Sequence, residues 1–181
     1  DADVSAIAGV PYEIGDNGYT MPSTLMFQMA NVKLEKVMEY ISKNPNESTD
    51  SFGQIIPVDY YKKNGHFILV GLYDLVEKGR KDGVITGRQK YLIIIALPKE
   101  GYVAINSAKV FNYNPLDPRQ LSAAETDGRQ QVDELQRFVK SYIPGFEQSY
   151  LVNTGGCLGI RETRRIIGEY ILTGEDVLEG R

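Results

Sequence analysis

Cysteine, histidine and basic charge are all scarce in this sequence. The one cysteine, Cys157, excludes a disulfide framework within the chain and leaves no thiolate zinc site, a usage that fits a reducing cytoplasm. The one histidine, His66, excludes a histidine-rich metal cluster, so no metal site is predicted. The formal net charge of −4 over 181 residues argues against nucleic acids and anionic membranes as partners, because both need a basic face.

Long apolar runs and nucleotide-binding motifs are also missing. The longest apolar run, residues 91–97, is far below the roughly 18 residues that a membrane-spanning helix needs. There is no Gly-x-Gly-x-x-Gly and no Gly-x-x-x-x-Gly-Lys-Ser/Thr, so the chain carries no dinucleotide or phosphate-loop fingerprint of its own. The chain starts without an initiator Met or a signal peptide, and we therefore expect it to be an internal piece of a longer protein.

Apolar periodicity predicts a mixed α+β fold with a mainly antiparallel sheet, one long helix and several short ones. The long helix has the clearest signals: Asp117 as a cap, Pro118 at the first position, an apolar stripe to Tyr142, and Pro144 after it. Glycine is unfavourable inside a helix, so Gly128 indicates that another part of the chain packs closely against the helix at this position. Strands are expected at 19–30, 67–71, 91–97, 102–106 and 148–152, and an extended stretch at 158–172. Further helices are expected from Leu34 (capped by Asn31), Leu72 and Thr173. Residues 1–16 are expected to form a short helical turn and a loop, and residues 44–53 a surface loop.

The densest polar group in the sequence lies at residues 159–168, which hold three arginines within five residues. In a strand, Arg161 and Arg165 would share one face with Thr163, and two guanidinium groups there would suit a carboxylate or phosphate. Alternatively, Glu162 pairs with a neighbouring arginine and the segment is a charged edge strand. His66 lies in a turn context typical of a surface residue, and Cys157 follows two glycines and is interpreted as structural. No catalytic residue is identified.

Three stretches together resemble the FAD-dependent oxidoreductases of the large glutathione-reductase-like flavoprotein group. The first, residues 1–15, looks like the tail of that group's second flavin-contact motif. The second joins Gly128-Arg129 to residues 137–147, and the third and most specific is 158–180, Leu-Gly-Ile-Arg-Glu-Thr-Arg-Arg-Ile-Ile-Gly-Glu-Tyr-Ile-Leu-Thr-Gly-Glu-Asp-Val-Leu-Glu-Gly.

The resemblance implies an FAD-binding lobe of Rossmann type that is interrupted by a substrate-side domain, whose sheet covers the isoalloxazine ring. It divides the chain into a remnant of a flavin-domain loop and short helix (1–16), a substrate-side domain (17–153) and an arginine-rich return strand with a short helix (154–181). Asp1 and Asp3 become flavin-side, cofactor-binding candidates. Arg161, Arg164 and Arg165 become candidates for binding an anionic small-molecule substrate.

The implied activity is hydride transfer from a small organic substrate to FAD. Since the lobe that holds the nucleotide is expected outside this chain, the isolated chain should be inactive, should not retain FAD, and should self-associate through the surface left uncovered. The alternative from another class is a non-catalytic binding, structural or oligomerisation domain.

Overall fold

The structure is a computed structural model, and it describes residues 2–16, 19–50 and 52–181. Within them, every strand pairing of the two sheets is antiparallel. The strands are β1 Tyr12–Ile14, β2 Ser23–Ala30, β3 Ser48–Thr49, β4 Ile68–Gly71, β5 Leu92–Ala96, β6 Val103–Val110, β7 Tyr150–Thr154 and β8 Arg164–Ile166. The helices are α1 Asp3–Ile7, α2 Leu34–Lys43, α3 Val58–Asn64, α4 Tyr73–Lys81, α5 Pro118–Tyr142 and α6 Gly174–Glu179, with a 3-10 turn at Pro45–Glu47. The predicted fold class, a mixed α+β chain with a mainly antiparallel sheet and one long helix, is confirmed.

A six-stranded sheet in the order β3-β4-β5-β6-β2-β7 forms, with α2 to α5, what we call the sheet body. Alternation within the strands separates its two faces. One face is buried in a single core with residues of the helices; its strand residues include Leu25, Phe27, Met29, Leu69, Leu92, Ile94, Val103 and Ile105. The other face carries half-buried or exposed side chains, among them Met26, Gln28, Ile68, Val70, Ile93 and Ile95.

The long helix α5 begins and ends where the sequence predicts. Asp117 accepts a hydrogen bond from the Arg119 backbone at 2.9 Å, and Pro118 occupies the first position, where no intrahelical N–H is needed. A Cβ added to Gly128 would lie 3.3 Å from Leu158 Cδ1 and 3.5 Å from Leu25 Cβ. The close neighbour that this helical glycine indicated is therefore the segment that leads to the arginines.

Residues 44–53 are not a simple surface loop. The Pro45–Glu47 turn runs into β3, which pairs with β4, and Glu47, Ser48 and Thr49 are all buried. The Glu47 carboxylate accepts a hydrogen bond from the Asp74 backbone at 2.9 Å, at the start of α4, so it replaces the cap that Leu72 does not provide. Burial holds the pKa of Glu47 above its usual value.

Two further predictions are wrong in detail. Asn31 does not cap α2; its backbone is left-handed and its side-chain amide donates to the Gln148 carbonyl at 2.9 Å. The stretch 158–172 is extended in a strand only at β8, and its partner β1 lies in residues that were expected to form a loop. We call the two-stranded sheet β1–β8, together with α1, the terminal ribbon.

Among the described residues, no helix is both long and apolar enough to cross a bilayer. No group of three or more His, Cys, Asp or Glu side chains that could hold a metal ion occurs in the same ranges.

Candidate functional site

The arginine segment is attached to the sheet body immediately before its first arginine. Gly159 and Thr24 exchange backbone hydrogen bonds of 2.8 and 3.3 Å, which extends the segment alongside the start of β2. Leu158 is buried beside Gly128 of α5, where a larger residue would press against its side chain. The backbone two residues before Arg161 is therefore fixed by both the sheet and the long helix.

A charged pair on α5 completes this attachment. Glu125 accepts a hydrogen bond from the Leu158 backbone at 2.5 Å and forms an ion pair of 2.6 Å with Arg129. Arg129 also donates to the Gly156 carbonyl at 3.3 Å. Gly128-Arg129 and the 158–180 stretch, two of the three stretches that carried the family resemblance, thus lie against each other.

Arg165 is surrounded by acidic and carbonyl groups. It lies opposite Glu13 in the β1–β8 register, and its guanidinium forms ion pairs with Glu13 at 3.1 Å and Glu162 at 2.6 Å. The Gly15 carbonyl accepts a further hydrogen bond at 2.7 Å. Glu162 also accepts from the Met21 backbone at 3.0 Å. The pairing of Glu162 with a neighbouring arginine, the alternative interpretation of the sequence, is what the structure contains.

Arg164 of β8 contacts both α1 and β1 within the terminal ribbon. Its guanidinium forms an ion pair with Asp3 of α1 and lies over the Tyr12 ring, 5.3 Å from the ring centroid. The hydrogen bond to the Asp3 carboxylate raises the pKa of Arg164. Asp3 and Arg164, predicted separately as cofactor-side and substrate-side residues, are therefore direct partners. Asp1, the other cofactor-binding candidate, lies outside the described residues.

Arg161 differs from its two neighbours. It lies before β8 rather than in it, so the expectation that Arg161 and Arg165 share one face of a strand is wrong: the strand covers only Arg164–Ile166. Its side chain is exposed, and no residue in the described ranges forms a hydrogen bond or ion pair with it. Of the three arginines in the segment, it is the one with a guanidinium available to a ligand.

Glu13 is the member of this cluster that sequence reasoning missed. Its signal was weak: Tyr12-Glu13-Ile14 alternates apolar and polar side chains for only three residues, too few to predict a strand. With Glu13 included, three carboxylates (Asp3, Glu13 and Glu162) pair with the guanidinium groups of Arg164 and Arg165.

The donor set does not form a site for the pyrophosphate of a dinucleotide. Such a site needs several free donors, most often the backbone amides of a glycine-rich loop at the start of a helix. Here Arg164 and Arg165 already have carboxylate partners, Arg161 alone is available, and the described residues contain no glycine-rich strand-to-helix turn. The residues described do not by themselves fit FAD.

Comparison with known proteins gives one positive result. A family model described as FAD dependent oxidoreductase matches residues 1–181, the whole of the chain. No curated protein matches the chain, and no solved structure does. The chain therefore belongs to the FAD dependent oxidoreductase family.

Proposed function

We propose that the protein transfers a hydride from a small organic substrate to FAD. The family match over the whole chain is the observation that carries this proposal. In such enzymes the bound flavin supplies the redox chemistry by accepting the hydride, and the protein supplies binding, orientation and electrostatics. A location in the cytoplasm is part of the same proposal, on the basis of the single cysteine.

Within this function we propose that Arg161 binds an anionic group of the substrate. Its exposed guanidinium is not neutralised by a described residue, and the Gly159–Thr24 hydrogen bonds hold its backbone close to the sheet body. A planar guanidinium suits a carboxylate, which it can bind through two hydrogen bonds. Arg164 and Arg165 contribute by holding the segment in place, since their charges are taken up by Asp3, Glu13 and Glu162.

We propose further that a flavin-binding lobe of the same protein covers the terminal ribbon and α6. Large apolar side chains are strongly exposed there; Ile7 of α1 is 87% exposed and Leu178 of α6 is 88% exposed. Large apolar side chains that are this exposed often mark a surface that another part of a protein covers. Asp3 would then lie on the flavin side, and this chain alone would neither retain FAD nor turn over substrate.

Two measurements test the flavin part. The protein as its gene encodes it, purified without added cofactor, should show the visible absorption bands of bound flavin; a colourless, fully folded protein would overturn the proposal. FAD added to the 181-residue chain should stay free in equilibrium dialysis. Tight binding there would overturn the assignment of the nucleotide site to another lobe, while leaving the oxidoreductase function intact.

The anion site can be tested without knowing the substrate. Acetate, added to the labelled 181-residue chain, should shift the Arg161 Nε–H resonance in NMR spectra in a saturable way. The backbone amide resonances of Ile160 and Glu162 should shift with it, and Arg161→Ala should abolish these amide shifts. Arg88→Ala is the matched control, because Arg88 is also exposed and also lacks a polar partner among the described residues. Equal acetate shifts at both arginines would contradict a site at Arg161.

The exposed apolar surface also favours a second candidate function, a non-catalytic oligomerisation domain. In that case the exposed side chains of Ile7 or of Leu178 would lie in an interface between identical copies. Light scattering separates the candidates when it is combined with the flavin spectrum. A defined oligomer of the gene's full product without flavin would support the second candidate, whereas a flavin-containing monomer would eliminate it.

A further inference from the structure

A cleft of about 400 Å³ opens at the opposite edge of the sheet from the arginine cluster. One wall is formed by Ile68 and Val70, alternate residues of β4, and the other by Tyr60 of α3. His66 and Asp50 also line it. Ligand sites of small molecules have volumes of roughly 300–1,000 Å³, so the cleft can hold a molecule built on one ring.

The walls of the cleft are apolar and accessible. Ile68 pairs with Ile95 across the sheet, and Val70 pairs with Ile93, so the aliphatic wall continues onto β5. Ile68 is 51% exposed, so part of its apolar surface is accessible to a ligand. A ligand ring placed against it would remove this apolar area from water, which is the main source of affinity in such sites.

The opposite wall is held in position by the core. The Tyr60 ring packs edge-on against Tyr61, with 5.9 Å between centroids, and the buried Tyr61 hydroxyl hydrogen bonds to Ser48 at 2.8 Å. The Phe67 ring lies 4.9 Å from Tyr61 on the core side. Because Tyr60 is attached to this buried aromatic group, the cleft is formed before any ligand arrives.

The polar groups at the cleft define which ligands it accepts. Within the described ranges, no residue hydrogen bonds to the His66 imidazole or the Tyr60 hydroxyl. Asp50 uses one carboxylate oxygen, Oδ1, to accept from the Phe52 and Gln54 backbones, both at 2.8 Å. The described residues that line the cleft include no lysine or arginine, and they include the carboxyl group of Asp50, so anions are disfavoured there.

From these features we propose that the cleft binds a small neutral molecule that carries a ring and a hydroxyl group. The ring packs between Tyr60 and Ile68, and the hydroxyl hydrogen bonds to His66 or to the Tyr60 hydroxyl. The site is separate from Arg161 in position and opposite in preference, since Arg161 favours an anion. The inference needs no flavin, so its failure would leave the proposed oxidoreductase function untouched, and the reverse also holds.

Phenol and benzoate are suitable probes, because they share a ring but differ in charge at pH 7. We expect phenol, added to the isotope-labelled 181-residue chain, to shift amide signals of α3 and β4 saturably, and benzoate to bind there at least about tenfold more weakly. Benzoate binding as tightly as phenol would overturn the proposal. So would phenol shifts that lie outside α3, β4 and the residue 50–56 region.

Matched variants distinguish specific binding in the cleft from nonspecific hydrophobic binding elsewhere on the protein. Ile68→Ala should weaken phenol binding about fivefold by removing ring contacts. Ile166→Ala removes the same atoms from a strand residue with the same exposure, 51%, and should leave binding unchanged. Tyr60→Phe and His66→Leu remove the two candidate hydrogen-bonding groups at exposed positions and test the hydroxyl contact. Affinity that survives both together, or falls equally in Ile166→Ala, would overturn the proposal.

Discussion

In the sheet body, Leu92, Ile94 and Ile105 are completely buried, whereas no residue of α1 or β1 in the terminal ribbon is buried. The ribbon is joined instead by the Arg164–Asp3 and Arg165–Glu13 ion pairs. Burying a large aliphatic side chain contributes about 1.5–3 kcal/mol, while an exposed ion pair contributes up to about 1 kcal/mol. One region carries its own stability, and the other is stabilised weakly until something covers it.

The difference also separates the two candidate sites. The cleft at β3 and β4 is built on the core, through Tyr61 and Phe67, and is ready to bind. Arg161 lies just past the last fixed point of the sheet body, at Gly159, and precedes the ribbon. A site at Arg161 is therefore completed only when the ribbon is held in position, so in the proposed function the lobe that covers the ribbon also completes the substrate site.

The largest difference expected between the two regions is in how much the replacement of an isoleucine by alanine lowers the free energy of unfolding. Ile94→Ala, in a central strand of the body, should lower the free energy of unfolding by about 2–5 kcal/mol, because it leaves a cavity in the core. Ile166→Ala, in β8, should change it by no more than about 0.5 kcal/mol. Urea denaturation followed by circular dichroism measures both. Comparable losses would show that the ribbon belongs to the same cooperative core.

Leu158 marks where the sheet body ends. It is buried against Gly128 and Leu25, so Leu158→Ala should lower the free energy of unfolding by about 2 kcal/mol or more. Leu178→Ala, at an exposed position of α6, is the matched control and should have almost no effect. If both substitutions were neutral, the arginine segment would not be attached to the sheet body at Leu158, and the backbone before Arg161 would not be fixed there.

The parts that were predictable from sequence have strong local signals. Asp117-Pro118 and Pro144 bound the long helix, and three consecutive isoleucines at 93–95 indicated a central strand; both predictions are confirmed. The Thr173–Asp176 capping box is confirmed as well, with a Thr173 Oγ1–Asp176 N distance of 3.2 Å. In each case a residue within four positions supplies the partner or the pattern.

The missed parts depend on partners that are distant in sequence. Glu13 and Arg165 are 152 residues apart in the sequence, and the residues around Tyr12–Ile14 contain no pattern that predicts their pairing with β8. Glu47 is buried because it caps a helix that starts 26 residues later, although a glutamate among turn-forming residues reads as solvated. The arginine face expected of a strand did not form because β8 covers only Arg164–Ile166, and its pairing with β1 could not be foreseen locally.

Burial of Glu47 makes the stability of the sheet body depend on pH. The folded state raises the pKa of this carboxyl, so the folded protein holds the proton more tightly than the unfolded chain does. Its contribution to stability is complete below the ordinary glutamate pKa and is lost as the pH rises through the raised value. Glu47→Gln keeps an acceptor for the Asp74 amide but cannot ionise, so its stability relative to the natural protein should increase with pH.

Urea titrations at several pH values from 4 to 7 check this. Glu39→Gln is the control, because the hydrogen bond and charge of Lys43 lower the pKa of Glu39. The pH dependence of this control has the opposite sign. Ionised Glu39 stabilises the folded state above the ordinary glutamate pKa, so the stability of Glu39→Gln relative to the natural protein should decrease slightly as the pH rises. A Glu47→Gln difference that stays constant with pH would contradict a raised pKa.

The smallest effect expected is on the ribbon itself. Asp3→Asn removes the carboxylate that holds Arg164, and we expect amide hydrogen exchange at β1 and β8 to accelerate several-fold while global unfolding changes by less than about 0.5 kcal/mol. Asp133→Asn is closely matched, since Asp133 is 58% exposed against 57% for Asp3, but its Arg137 partner lies on the same helix. It should not affect exchange in the ribbon.

Added salt should reduce the difference in ribbon exchange between the natural protein and Asp3→Asn, because exposed charges are screened. If ribbon exchange were unchanged in Asp3→Asn, apolar contacts rather than charge would hold the ribbon, and its difference from the sheet body would be one of degree.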